Sequence, residues 1–126
     1  MLSNYYQALI DLEKALEIDL QDVFALGTRG VVQRMLKNYD KELIDLDKAL
    51  KIDPENVIAL GNRGETHKML KNYNQALSDF DEALKIDSDN VFVLGNRGET
   101  HRMLNNYEQA LTDLDKALRI DPDDTC

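Results

Sequence analysis

Apolar side chains recur along this chain at the spacing of one face of an α-helix. Between residues 73 and 84 they stand three, four and seven positions apart, at Tyr73, Ala76, Leu77, Phe80, Ala83 and Leu84. Such spacing predicts an amphipathic helix. Equivalent segments begin at Tyr5, Tyr39 and Tyr107, so the pattern returns every 34 residues. A fixed period of this length is typical of proteins that stack helix–turn–helix units, and it predicts an all-α fold.

Each unit also contains a first apolar segment that is richer in glycine. Residues 58–70 hold two glycines, and each lowers helix propensity by about 1 kcal/mol relative to alanine. We expect the second glycine to let the two helices of a unit cross closely, opposite the small residues Ala76 and Ala83. The glycines at that position are Gly30, Gly64 and Gly98.

The ends of the predicted second helices carry their own signals. Asn72, with Gln75 three residues later, resembles a capping box, and Pro54 and Pro122 prevent a helix from continuing. We therefore expect seven helices in a single array, residues 1–126. A partial repeat with only a second helix, residues 1–22, precedes full repeats at residues 23–56, 57–90 and 91–124.

Several of these columns together are similar to a known family. They are Leu60, Gly64, Tyr73, Ala76, Phe80 and Ala83, closed by Pro54 or Pro122. At this spacing the chain resembles the tetratricopeptide repeat family over essentially its whole length, and the Arg63–Gly64 pair places it in an Arg-Gly-containing subset. The resemblance implies an α-solenoid of antiparallel helix pairs wound into a right-handed superhelix, whose first helices line a concave groove.

The resemblance also implies which side chains line that groove. They are Phe24, Thr28, Arg34, Ile58, Asn62, Glu65, Lys68, Met69, Phe92, Asn96, Glu99, Arg102 and Met103, with Gly27, Val31, Met35, Gly61 and Gly95 between them. Asn62 and Asn96 offer a donor and an acceptor to a peptide backbone. Lys68 and Arg102 can hold carboxylates unless the glutamates three residues earlier already engage them. The groove predicts a protein–protein interaction module that binds a peptide or partner segment.

One family subset holds the carboxylate tail of chaperones with a basic clamp. That clamp needs lysine where this chain has Gly27 and Ile58, and arginine where it has Asn96. The sequence therefore argues against that ligand.

In each full unit an arginine directly precedes the second glycine, at Arg29, Arg63 and Arg97. An arginine beside a core stripe buries its stem and pairs its head. Aspartates recur in step on the second helices, at Asp11, Asp45, Asp79 and Asp113. We interpret these positions as a structural Arg–Asp ladder, and the alternative is a row of ligand-facing arginines. Glu42, where other units have alanine, has to turn outward or find a partner.

Composition limits the partners further. The net charge of −9 disfavours nucleic acid and anionic membranes, and no apolar stretch approaches the roughly 20 residues that span a bilayer. No secretory signal is visible, and the single cysteine, Cys126, forms no internal disulfide, which favours an intracellular, cytoplasmic location. We interpret Cys126 as an incidental thiol.

Catalytic and metal-binding signals are weak. His67 and His101 are the only histidines, and two histidines do not make a metal site. The Gly-Asn-Arg-Gly segments lie within a helical period, unlike the GXXG loop of RNA-binding KH domains. Paired carboxylates such as Asp79 and Asp81 stand two apart, so they point to different sides of a helix. We expect neither a cofactor nor a metal, and no enzyme activity.

A second hypothesis is self-association. The first helix lacks its partner helix, and the last one presents Leu111, Leu114 and Leu118. Such faces favour end-to-end stacking or helix exchange between copies, as in a scaffold segment. A larger parent protein, of which this chain is an excerpt, explains the open ends equally well.

Overall fold

The computed structural model describes residues 2–122, and these residues form seven α-helices. They are α1 (Leu2–Ile18), α2 (Val23–Met35), α3 (Tyr39–Ile52), α4 (Val57–Met69), α5 (Tyr73–Ile86), α6 (Val91–Met103) and α7 (Tyr107–Ile120). The predicted number of helices is confirmed. One boundary differs, because α1 begins at Leu2 and not at Tyr5, so Asn4 lies inside the helix and does not precede it.

The described residues fall into two compact units, residues 2–62 and residues 63–122, which divide within α4. In the first unit α2 contacts both α1 and α3, and in the second α6 contacts both α5 and α7. The apolar faces predicted from the sequence supply the cores: Leu46 and Ala49 are fully buried in the first unit, as are Phe80 and Ala83 in the second. Burying a side chain such as Phe80 contributes about 2–3 kcal/mol.

The turns between first and second helices share one backbone motif. Lys37, Lys71 and Asn105 adopt left-handed conformations, with φ of 62°, 65° and 64°. In the first of these turns the N–H of Lys37 donates to the carbonyl of Arg34, and the N–H of Asn38 donates to that of Gln33. These two bonds form a Schellman motif, which ends α2 and starts α3 after three residues.

The capping prediction was wrong for the second helices. The side chains of Asn38, Asn72 and Asn106 make no cap hydrogen bond to α3, α5 and α7. Two of them reach back instead, so that the amide of Asn38 donates to the side chain of Gln33 at 3.0 Å. The equivalent side-chain amide nitrogen, that of Asn106, lies 3.4 Å from Nδ1 of His101. The Schellman turn explains the difference, because it already fixes where each second helix begins.

Side-chain caps instead begin the first helices. The carboxylate of Asp22 accepts from the N–H of Ala25 at 3.0 Å. The side-chain oxygen of Asn56 accepts in the same way from Ala59 at 2.9 Å, and that of Asn90 accepts at 3.0 Å from the N–H three residues on. Each cap satisfies an N–H that the helix itself leaves without a partner.

The glycines at the helix crossings have unequal surroundings. A Cβ built on Gly64 would lie 2.5 Å from Cε1 of Phe80, so an aromatic ring, and neither Ala76 nor Ala83, is its closest neighbour. A Cβ on Gly98 would lie 2.9 Å from Cγ of Leu114. At Gly30 the nearest atoms are 3.5 Å away, which is ordinary contact. Close crossing therefore requires glycine most strictly at Gly64.

Glu42 lies inside the first unit and does not turn outward. Its side chain is fully buried, and Oε2 lies 3.7 Å from Nε of Arg34. Arg34 is itself largely buried. Of the two outcomes expected from the sequence, Glu42 shows the second, since it has a charged partner. The pair links the end of α2 to the beginning of α3.

Candidate functional site

A cavity of about 370 Å³ opens on the first unit. Its lining comes from α2, from the start of α4 and from the turn before α4, and consists of Val23, Phe24, Gly27, Thr28, Val31, Asp53, Asn56, Ile58 and Asn62. The structure thus brings together Phe24, Thr28, Ile58 and Asn62, which sequence analysis had placed in one groove. We call these nine residues the α2/α4 cavity.

Helix caps place the large apolar side chains of the α2/α4 cavity. Asp22 caps α2 and Asn56 caps α4, so Phe24 and Ile58 both stand in a first helical turn. Phe24 is 82% exposed and Ile58 is 76% exposed. Gly27 lies on the wall of the cavity, and a Cβ built there would meet nothing within 4 Å. The result is an open concave surface with apolar groups at its rim.

The polar groups of the α2/α4 cavity include no lysine and no arginine. Asn56 uses its side chain twice, because its oxygen caps α4 while its amide donates to Oδ2 of Asp53 at 3.4 Å. Asp53 is exposed at the end of α3 and is the one charged residue in the lining. The cavity therefore has apolar walls and a single negative charge at its edge.

Asn96, predicted to bind a peptide backbone, makes hydrogen bonds within the second unit instead. It is buried, its amide donates to the carbonyl of Phe92 at 3.0 Å, and its oxygen accepts from Nζ of Lys68 at 2.7 Å. Its donor and its acceptor are thus both used by the protein. The equivalent Asn62 lines the α2/α4 cavity and is only half-buried.

Glu99 and Arg102 engage each other three residues apart on α6. Nε of Arg102 donates to Oε2 of Glu99 at 3.1 Å, and a second donor of the same guanidinium contacts Oε1. The hydrogen bond from Arg102 is the main reason that the pKa of Glu99 is lowered, and the nearby charge of Lys68 adds to it. Arg102 is therefore held by the protein's own carboxylate.

The other predicted groove residues lie on the accessible sides of their helices. Met69, Phe92 and Met103 are exposed, and Glu65 is half-buried. They add apolar and adaptable side chains to the first helices. Arg34, the remaining predicted residue, contacts Glu42 as described above.

The arginine row is paired with aspartates 16 residues later. Arg29 binds both carboxylate oxygens of Asp45, at 2.9 and 2.8 Å, and Arg63 binds Asp79 at 3.0 and 2.8 Å. Asp11, which has no such arginine before it in this chain, accepts a hydrogen bond from Gln7. Two-pronged pairs of this kind hold the guanidinium plane in a fixed orientation.

A second cavity, of about 490 Å³, is lined by residues of α6 and α7 that include Arg97 and Asp113. The guanidinium there makes three hydrogen bonds, two to Asp113 and one to Asp81 at 3.0 Å. The bond to Asp113 is the main reason that the pKa of Arg97 is raised. These contacts favour the structural interpretation of the arginines over a ligand-facing row.

Within residues 2–122 no group of three or more histidine, cysteine or acidic side chains is placed to hold a metal ion. Among the helices described, none is both long and apolar enough to cross a membrane. Cys126 lies outside the described residues.

Three residues of the α2/α4 cavity were not predicted from the sequence, namely Val23, Asp53 and Asn56. The signal for Asn56 was present, because Asp22 and Asn90 occupy the same column and all three cap first helices. No sequence signal indicates that Asp53 belongs to this surface. Its position at the cavity edge depends on how the turn after α3 meets α4, which a helical period does not specify.

Comparison with known proteins agrees with this architecture. The tetratricopeptide repeat model matches residues 55–123. No curated protein matches the sequence. A crystal structure of a tetratricopeptide repeat protein from Parabacteroides merdae is 26% identical over 97% of the chain, with a TM-score of 0.85. The chain spans 48% of the length of that protein.

Two smaller solved structures are also similar. The TPR domain of Arabidopsis OM64 is 25% identical, with a TM-score of 0.78, and the match covers 82% of this chain and 85% of that domain. The first TPR of Spaghetti (RPAP3), bound to an HSP90 peptide, is 24% identical, with a TM-score of 0.80 and 85% coverage of both chains. With the family match extending over more than half of its residues, this chain belongs to the tetratricopeptide repeat family.

Proposed function

We propose that this chain is a protein–protein interaction module that binds a peptide segment of a partner in the groove of its first helices, with the α2/α4 cavity as the anchor point. Family membership supports an interaction role, since stacked repeats offer extended binding surfaces. A structural relative, the first TPR of Spaghetti (RPAP3), is bound to an HSP90 peptide. The described residues offer no competing metal cluster.

The observation that carries this proposal is the exposure of Phe24 and Ile58 beside a concave cavity. Large apolar side chains exposed at more than three-quarters of their surface gain free energy when a partner covers them. A cavity of about 370 Å³ also has the size of sites that enclose a partner's side chains. Asn62 and Thr28 add polar groups that can orient a peptide backbone.

A peptide-display selection tests the proposal. The chain is immobilised, binders are selected from a random library, and the affinity of synthetic copies is measured by fluorescence anisotropy. The variant Phe24→Ser/Ile58→Ser should weaken these binders at least tenfold without changing the helical circular dichroism. Leu20→Ser is the matched control, because Leu20 is 77% exposed but does not line the cavity. If the double variant binds the selected peptides with unchanged affinity, the binding surface lies elsewhere.

A second candidate function, self-association, is favoured by the exposed face of α7. Leu118 is 40% exposed, whereas Leu84, which stands 34 residues earlier on α5, is 9% exposed. Leu111, which stands two helical turns before Leu118 on α7, is 61% exposed. A second copy of the chain can cover these leucines with a helix, as α6 helps to cover α5.

Light scattering after size exclusion tests self-association in a Cys126→Ser background. A dimer or larger species that becomes a monomer with Leu111→Lys/Leu118→Lys supports it. The control is Ile10→Lys/Ile44→Lys, which changes exposed apolar residues on other helices. A monomer at all concentrations excludes this second function.

A further inference from the structure

We propose that the α2/α4 cavity selects a segment in which a large apolar side chain lies close to a lysine or arginine, and rejects acidic segments. This inference rests on the proposed function and specifies the chemistry of the partner. It follows from three observations on the first unit: the apolar lining, the lack of a cation in that lining, and the carboxylate at its edge.

The apolar lining is particular to this part of the chain. Val31 lines the cavity, whereas Glu65 and Glu99 occupy the same column in the following units. A carboxylate at residue 31 would bring a charge to the wall between Thr28 and the end of α2. With valine there, five of the nine lining residues are valine, isoleucine, phenylalanine or glycine. Such walls favour an aliphatic or aromatic side chain.

Both basic residues of α2 are directed to carboxylates within the first unit, and Arg29 binds Asp45. Arg34 stands three residues after Val31, and its Nε lies 3.7 Å from the fully buried carboxylate of Glu42. In the following units alanine replaces this glutamate, at Ala76 and Ala110. Valine at 31 and glutamate at 42 are thus two departures from the repeat within the first unit. One removes a carboxylate from the wall, and the other gives the arginine a buried counter-charge.

The charge at the cavity edge is negative. Asp53 is exposed, and one of its oxygens accepts a weak hydrogen bond of 3.4 Å from Asn56. An acidic segment would meet this carboxylate with no lysine or arginine in the lining to offset it. A basic segment would be attracted both by Asp53 and by the net charge of −9. Because Asp53 is exposed, we expect its own effect to be modest, about threefold in affinity.

Two restricted display libraries test this preference on the full chain. Both encode the same apolar residues, but one allows lysine and arginine without acidic residues, and the other allows acidic residues without lysine and arginine. Selected peptides are synthesised, and their Kd values are measured against the unchanged chain and against Asp53→Asn. The control is Asp87→Asn, because Asp87 has the same 3.4 Å contact with Asn90 but does not line the cavity.

The expected result is that the basic library gives the tighter binders. Asp53→Asn should weaken them about threefold, Asp53→Glu should restore them, and Asp87→Asn should leave them unchanged. Added salt should reduce the difference, because it screens exposed charges. The inference is overturned if acidic peptides bind as tightly as basic ones. It is also overturned if Asp53→Asn leaves the Kd of the basic peptides unchanged.

The Phe24→Ser/Ile58→Ser variant separates this inference from the proposed function. If acidic peptides bind best and that variant weakens them, the cavity is a peptide site and only the charge preference is wrong. If binders from neither library respond to that variant, the proposed anchor point is wrong, and the inference fails with it.

Discussion

Arg97 and Asp113 join α6 to α7 through two parallel hydrogen bonds, each 2.8 Å long. The same pairing joins Arg29 to Asp45 in the first unit, again 16 residues apart along the chain. In each pair the aspartate is buried and the arginine is partly accessible. The guanidinium of each arginine thus neutralises a carboxylate that the fold has removed from water.

Removal of this arginine should therefore destabilise the fold. Arg97→Ala leaves the carboxylate of Asp113 buried without its main counter-charge. We expect a loss of about 2 kcal/mol in the free energy of unfolding, which is reduced because the Arg97 side chain is 25% exposed. Urea unfolding followed by circular dichroism measures it. The matched control is Lys85→Ala, which breaks an exposed pair with Glu82 and should cost less than about 0.5 kcal/mol. Equal effects of the two substitutions would contradict the ladder's structural role.

Two glycines in the same column should respond to alanine with opposite signs. Gly30→Ala should stabilise by about 0.5–1 kcal/mol, because the new methyl group meets ordinary contacts at 3.5 Å and the helix propensity improves. Gly64→Ala should destabilise by about 1–3 kcal/mol, because the methyl group would lie 2.5 Å from the fully buried ring of Phe80. Thermal unfolding of both variants measures the difference. Gly95→Ala, where nothing lies within 4 Å, is the control for propensity alone.

The sequence predicted the helices well because its signal is periodic. One amphipathic face, repeated every 34 residues, determines the number of helices, and the four second helices end at residues that are 34 positions apart. The same period cannot distinguish equivalent residues with different neighbours. Asn62 lines a cavity, whereas Asn96 is buried and bonded to Lys68, although both occupy one column. That difference depends on which side chain lies next to each amide in three dimensions.

Capping shows the same limit at a smaller scale. Asparagine stands before both kinds of helix, but Asn90 caps α6 while Asn106 contacts His101 instead. The motif in the sequence is similar in both places. The backbone before Asn106 is already fixed by the left-handed Asn105, so its side chain is free to bond elsewhere. Local motifs thus predicted where a helix begins, whereas the geometry of the turn determines whether the asparagine side chain caps it.

The stability of the second unit should depend on pH through Glu99. Arg102 lowers the pKa of Glu99 below its ordinary value of 4.5. A carboxylate whose pKa is lowered by folding stabilises the folded state above the unfolded value, and this contribution is lost as pH falls through the folded value. Unfolding free energies of the unchanged chain and Glu99→Gln should therefore differ most above pH 4.5 and converge at lower pH. In a carboxyl NMR titration, Arg102→Gln should raise the pKa of Glu99, and no change would show that another group lowers it.

The Arg34–Glu42 pair should be replaceable by the arrangement seen on α6, where Arg102 binds Glu99. Glu42→Ala removes a fully buried carboxylate from beside Arg34, and we expect a loss of about 2 kcal/mol in the free energy of unfolding. Adding Val31→Glu places a carboxylate three residues before Arg34, as Glu99 stands before Arg102. The double variant should therefore be more stable than Glu42→Ala alone by about 0.5–1 kcal/mol, as urea unfolding can measure.

A matched variant shows whether charge is responsible for that recovery. Val31→Gln/Glu42→Ala carries a side chain of the same length at residue 31 without its charge, so it should recover less stability than Val31→Glu/Glu42→Ala. If both double variants behave alike, the recovery comes from the added methylene groups. If the two substitutions are strictly additive, residues 31 and 42 do not share Arg34 as a partner, and the valine and the glutamate arose in this unit for unconnected reasons.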